Sequence, residues 1–163
     1  MDWIAGQQGR MLRELIEWAN INTGTGNVGG TEKFLDRVLA VAGELGDGRR
    51  YFEPQPARKV DRSGKLVDFP LGRGLVLLRR PNAPRKIFLC IHSDTVYPPD
   101  SPFQKAEMQK DGTLRGPGVA DAKGGLMVML TGYDRPAIRP TLPVVMRRAG
   151  FMSWSKKVSS RIT

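Results

Sequence analysis

The chain has 163 residues, 26 basic against 16 acidic for a net charge of +10, with 40% hydrophobic and 26% charged side chains. That length and balance suit one domain with a real core, or one piece of a larger one, and exclude a wholly disordered chain, a collagen and a coiled coil. No signal-peptide pattern opens the chain and nowhere do about 18 apolar residues run together, so a cytoplasmic, non-membrane protein is expected.

In chain order, Met11, Leu12, Leu15, Ile16 and Ala19 recur at helical spacing with Arg13, Glu14 and Glu17 on the other side, which predicts an amphipathic helix from roughly Gln8 to Asn20. The segment "INTGTGNVGG" reads as a loop by composition, with Gly30 and Thr31 as candidate caps for a second helix and Glu32 in its first turn. That helix buries Phe34, Leu35, Val38, Leu39, Ala42 and Leu45, and Gly46 is its natural stop. From Arg50 the pattern changes to short β-rich runs broken by Pro and Gly, with strands expected near 50–54, 73–79 and 86–92. Ile87 to Ile91 is apolar without alternation, as in a central strand covered on both faces, so the expected class is α/β. Cys90, the one cysteine, lies inside this run and is expected as a buried hydrophobe in a reducing compartment. Trp3, Trp18, Met127 and Met129 read as packing residues.

The only histidine, His92, follows that strand, where open α/β sheets gather their ligands. Asp94 comes two residues later, and a carboxylate near a ligating histidine commonly fixes its tautomer. The tripeptide alone fits a capped strand end with a satisfied histidine better than a metal site. Further on, "LRGPGVADAKGG" places Asp121 in a Gly/Pro-rich loop before an apolar stretch that could begin a helix. A phosphate loop anchored on Lys123 would need Gly at 117 and 122 and a hydroxyl at 124; the residues are Pro117, Ala122 and Gly124. A dinucleotide fingerprint starting at Gly116 would need glycine at 121, where Asp121 stands. A carboxylate held by glycine-permitted geometry, able to share its oxygens between two cations, suits these residues better. Lys123 reads as a support for the loop or the start of the helix.

The paired segment "LCIHSDTVYPPDSPFQKAEMQKDGTLRGPGVADAKGG" resembles the metal-site block of the zinc-dependent glutamate carboxypeptidase, acetylornithine deacetylase and aminoacylase superfamily. In that superfamily an apolar strand ends in H-x-D-T/V, followed by G-x-L-x-G-x-G-x-x-D-x-K-G-G, which Gly112 to Gly125 match nearly position for position. "ELIEWANINTGTGN" is similar to its first helix and loop, so the resemblance covers roughly residues 10 to 130. It implies the amino-terminal portion of a zinc-peptidase-like catalytic domain, a mixed sheet flanked by helices, here incomplete. It further implies that His92 binds one metal, that Asp121 bridges two, and that Asp94 orients His92. The implied cofactor is a pair of zinc ions, with cobalt or manganese as alternatives, and the implied substrates are small peptides or N-acyl amino acids.

The superfamily also supplies a Glu-Glu pair carrying the general base, a further carboxylate and a second histidine. This chain has no second histidine, its last glutamate is Glu107, and Lys156 and Lys157 stand about where the Glu-Glu pair would fall. Ammonium groups there would repel metal ions. Residues 131–163 form an atypical basic tail, seven basic residues against Asp134, so +6 of the +10 lies there. Its acid-poor, Arg/Pro/Trp-rich composition is expected of a frameshift or truncation after about Leu130, with true divergence as the alternative. The lid or dimerisation domain is expected to be absent, and the chain alone is expected to be inactive. A basic protein binding nucleic acid or an acidic membrane surface through this tail, or a non-catalytic interaction module, are competing readings. The tail's lack of a helical basic face argues against nucleic acid.

Overall fold

The computed structural model describes residues 2–42, 47–61, 63–85, 87–134 and 144–147. In chain order the elements are α1 (Asp2–Ala19), α2 (Val28–Ala42), β1 (Gly48–Phe52), β2 (Ala57–Val60), β3 (Leu66–Phe69), β4 (Gly74–Leu78), β5 (Ile87–Cys90), β6 (Glu107–Met108), β7 (Leu114–Arg115), α3 (Lys123–Asp134) and β8 (Val144–Arg147).

Helix α1 starts six residues before the predicted Gln8, because the partly buried stripe continues upward through Trp3 and Gln7. Helix α2 also starts earlier than expected. Its cap is Asn27, whose Oδ1 accepts from the Gly30 amide at 3.0 Å, satisfying one of the amides that a helix start leaves orphaned. Gly30 and Thr31 therefore lie inside the first turn, where the Thr31 hydroxyl donates to the Asn27 carbonyl at 3.0 Å. The predicted stop at Gly46 lies outside the described residues.

Four strands form one mixed sheet in the order β1-β4-β8-β5, antiparallel except for the β8–β5 pair. Two hairpins, β2–β3 and β6–β7, stand apart from it. The β2–β3 turn was not among the expected strands; Asp61 Oδ1 there accepts from the Ser63 amide, the Ser63 hydroxyl and the Lys65 amide at 2.6–3.0 Å. Those donors, Ser63 first, hold its carboxyl below the usual range. Gly64 closes the turn with φ +82°, a region that an L side chain rarely adopts.

The central strand expected at Ile87–Ile91 is instead at one end of the described sheet. Strand β8, drawn from the basic tail, occupies the place between β4 and β5, a pairing across more than fifty residues that local apolarity does not encode. Correspondingly Phe88 is 51% exposed, and Cys90, expected buried, is exposed.

The core lies between the three helices and the inner face of β4. Trp18 of α1 and Phe34 of α2 meet edge-on with ring centroids 5.5 Å apart, the geometry that aromatic quadrupoles favour. Around them pack Leu35 and Val38 of α2, Leu75 and Leu77 of β4, and Leu126, Met127 and Leu130 of α3. Leu75 and Leu77 alternate with half-buried Val76, so one face of β4 is buried and the α1, α2 and α3 stripes close over it. This packing fixes the carboxyl end of α1 against the amino end of α3, and the site is built at that junction.

Candidate metal centre

His92 lies two residues beyond the end of β5, and Asp121 lies two residues before α3. They are 29 positions apart in sequence, yet His92 Nε2 sits 2.8 Å from Asp121 Oδ1. The other ring nitrogen, Nδ1, lies 3.0 Å from the main-chain oxygen of Asp94 and 3.4 Å from its Oδ1. A carbonyl oxygen only accepts, so a proton on Nδ1 would be donated to Asp94, while at Nε2 a proton or a cation would lie between the ring and the Asp121 carboxylate.

Asp121 owes its place to the turn before it. Gly118 has φ +77°, its carbonyl accepts from the Lys123 amide at 2.8 Å, and a Cβ on it would come within 3.1 Å of the Lys123 stem and of Thr95. A Cβ on Gly124 would run into the Val119 carbonyl oxygen. The loop folds back on itself so tightly that only glycine fits at these two points, and the Asp121 side chain is left 81% exposed, opposite His92. The peptide between Asp121 and Ala122 is cis.

Lys123, the first residue of α3, is 1% exposed. Its ammonium donates to the Trp18 carbonyl at 3.0 Å and the Ile21 carbonyl at 2.7 Å and lies 5.1 Å from the centroid of the Phe34 ring. A cation bonded to carbonyls at the negative end of α1 is favourable. Burial pushes its pKa down to about 8, so it remains charged at neutral pH. Lys123 thus supports the loop, as its sequence context suggests, by tying α1 to α3.

The His92 side is fastened by the loop between α1 and α2. The Thr95 amide donates to the Thr23 carbonyl at 2.9 Å, and the Thr25 amide to the Thr95 carbonyl at 3.0 Å. The Thr25 hydroxyl reaches Asp94 Oδ2 at 2.8 Å. Sequence composition marks Thr25 only as a loop residue. Its position after "NTG", opposite a distant H-S-D-T segment, becomes visible only when the two strands of chain lie side by side.

Chemically, an imidazole nitrogen and a carboxylate oxygen suit zinc, and also manganese or cobalt. They fit as two donors of a larger set. Among the described residues no group of three or more His, Cys, Asp and Glu is arranged to hold a metal ion, fewer protein ligands than a catalytic zinc ordinarily has.

No protein-family model matches the chain, and no curated protein matches it in sequence. Among solved structures it is similar to human carnosine dipeptidase 1, at 17% identity and TM-score 0.65 over 91% of this chain and 33% of that one. It is similar to a dipeptidase from Saccharomyces cerevisiae, at 12% identity and TM-score 0.63 over 90% of this chain and 33% of that one. A metallo-carboxypeptidase from Sulfolobus solfataricus matches at 18% identity and TM-score 0.57, over 86% of this chain and 30% of that one. The class is therefore defined by fold: this is a zinc-peptidase-like α/β fold, a mixed sheet flanked by helices. The chain spans about a third of the length of the solved chains it matches. No helix among the described residues is long and apolar enough to cross a membrane.

Proposed function

We propose that this chain carries one arm of a two-metal centre for hydrolysing amide bonds in small peptides or N-acyl amino acids, and that by itself it does not turn them over. The observation that carries the reading is the 2.8 Å approach of His92 Nε2 to Asp121 Oδ1. In this reading His92 is a terminal ligand, Asp121 shares its two oxygens between cations, and Asp94 orients His92 by accepting its Nδ1 proton. A divalent zinc, cobalt or manganese ion held there would polarise the scissile carbonyl and make bound water acidic. Removing the proton from such water also needs a carboxylate base. The chain has no glutamate after Glu107 and no second histidine, and Lys156 and Lys157 carry the wrong charge for that duty. The acid-poor composition of the tail is taken as coding damage such as a frameshift, and the setting as a reducing cytoplasm.

The fold likeness supports the hydrolase class, since the similar structures are peptidases. Calorimetric titration of the full chain with Zn2+ or Co2+ is expected to show weak binding that His92→Ala and Asp121→Ala each reduce at least about 10-fold, no less than loss of an outer partner costs. Binding equal in wild type and both variants overturns the ligand assignment. Metal-loaded chain is expected to leave dipeptides and N-acyl amino acids intact, and robust turnover overturns the inactivity.

A further inference from the structure

The two ends of the sheet differ in chemistry. His92 follows the carboxyl end of β5, whereas the opposite end gathers arginines from three separate segments of chain. The register sets Gly48 of β1 beside Leu78 of β4, Leu78 beside Val145 of β8, and Val145 beside Phe88 of β5, so one row of residues crosses all four strands. Arg79 and Arg80 leave β4 just past that row, and Arg85 precedes β5 on the same side. Arg49 and Arg50 follow Gly48 on β1. Arg49, Arg50, Arg80 and Arg85 are exposed. The carboxylate beside them is Asp47, whose Oδ1 accepts from Arg79 Nη1 at 2.6 Å and whose Oδ2 accepts from the Arg80 amide at 2.7 Å. Asp47 is thereby committed to the turn after β4, and among the described residues Arg49, Arg50 and Arg85 have no carboxylate partner. That turn is stiff, since Pro81 and Pro84 fix their own φ and the Ala83 amide donates to the Arg80 carbonyl at 3.0 Å.

We propose that this arginine-bearing end of the sheet is a binding surface for the phosphate backbone of a nucleic acid. Four strands about 4.8 Å apart spread the row over about 14 Å, a length along which one nucleic-acid strand carries about four charges at about 3.4 Å each. A guanidinium fork meets two phosphate oxygens at once and keeps its charge at any physiological pH. Arginines held close together on a stiff frame repel one another, and a polyanion laid across them removes that repulsion. The turn 79–85 carries no acid and no large apolar residue, so it lacks the apolar face with which a protein seats itself in a lipid surface. An acidic peptide adds as a strand along a sheet edge, whereas these arginines run across the strand ends. Contacts to phosphate hold a strand without reading its bases, so the binding is independent of nucleotide sequence. The surface is separate from the His92–Asp121 centre and from the basic tail, and it stands whether or not the centre holds a metal.

The test is fluorescence anisotropy of a labelled single-stranded oligonucleotide of mixed sequence, titrated with the full chain over a salt series from about 50 to about 200 mM. Wild-type binding is expected to weaken steadily with salt. Combining Arg49→Gln, Arg50→Gln and Arg85→Gln is expected to lower the affinity at least about 10-fold at the low-salt end and to reduce the slope of log K against log salt by about 2, the value for three lost contacts on a single strand. A control removes the same charge from the tail through Lys156→Gln, Lys157→Gln and Arg161→Gln, and is expected to keep most of the wild-type affinity and slope. Should the first combination fail to fold, Arg85→Gln alone, outside every strand, is expected to reduce the slope by about 0.7. An unchanged slope in the folded variant, an equal loss in the tail control, or no wild-type binding at the low-salt end overturns the proposal. So does a wild type that takes up poly-glutamate or phosphatidylserine vesicles in preference to the oligonucleotide.

Discussion

The junction around His92 and Asp121 and the β2–β3 hairpin are both built largely from loops and short strands, but they are held differently. At the junction, chain segments meet backbone to backbone, Gly24 against Tyr97 and Pro98 and Gly124 against Val119, and Gly118 packs against the Lys123 stem. Buried Lys123 bridges the carbonyls of Trp18 in α1 and of Ile21 just after it. In the hairpin, pairing runs between neighbours in sequence, Val60 and Leu66 face each other at 65% and 50% exposure, and the Arg58–Asp68 ion pair at 2.8 Å is about two-thirds exposed on both sides. Placing side chains from distant segments within 3 Å of one another takes contacts with little freedom to adjust, whereas a solvated ribbon can shift without consequence.

Substitutions that break this contrast follow in order of size. Lys123→Ala removes a buried stem and leaves the Trp18 and Ile21 carbonyls without their ammonium, with an expected loss of about 2–4 kcal/mol in denaturant unfolding. The same variant has a pH signature. Because the folded pKa of Lys123 is about 8 against an ordinary 10.5, the unfolded chain keeps a proton that the folded chain has shed between those values. Its contribution to wild-type stability is therefore fully present above about 10.5 and is lost as pH falls through about 8. Stability should rise with pH inside that window, by at most about 1.4 kcal/mol per pH unit, and Lys123→Ala should remove this increment. An equal slope in both proteins would show that the ammonium is not buried as described. Gly24→Ala is expected to cost about 1–3 kcal/mol in the same unfolding measurement, since its Cβ must push main-chain atoms apart. Arg58→Ala is expected to change stability by less than about 0.5 kcal/mol, because both partners are well solvated; a loss as large as that of Gly24→Ala would mean that the hairpin is not the loosely held region described.

Parts of the fold were legible from local pattern alone. The apolar spacing of Phe34, Leu35, Val38 and Ala42 marks the buried face of α2, and all four are buried. The runs at 73–79 and 86–92 are strands within a residue or two. Boundaries slipped where a cap is made by an unexpected side chain, as with Asn27, or where a stripe continues at weaker hydropathy, as at Trp3 and Gln7. Of the residues that the sequence pattern singled out, the strand-end histidine and the glycine-loop aspartate face each other at 2.8 Å. The exposure of Cys90 and Phe88 was not, because strand order depends on which distant segment pairs where.

What this sequence determined by itself was periodicity and backbone permission: which faces are apolar, and where only glycine allows the chain to turn or approach, because those follow from neighbours a few residues apart. Tertiary structure alone decided that Val144–Arg147 enters the sheet beside β5, that the Lys123 ammonium ends on α1, and that Thr25 reaches Asp94. Those contacts join segments between 57 and 105 positions apart, and their geometry is set by the packing of the helices over β4, which no local pattern specifies.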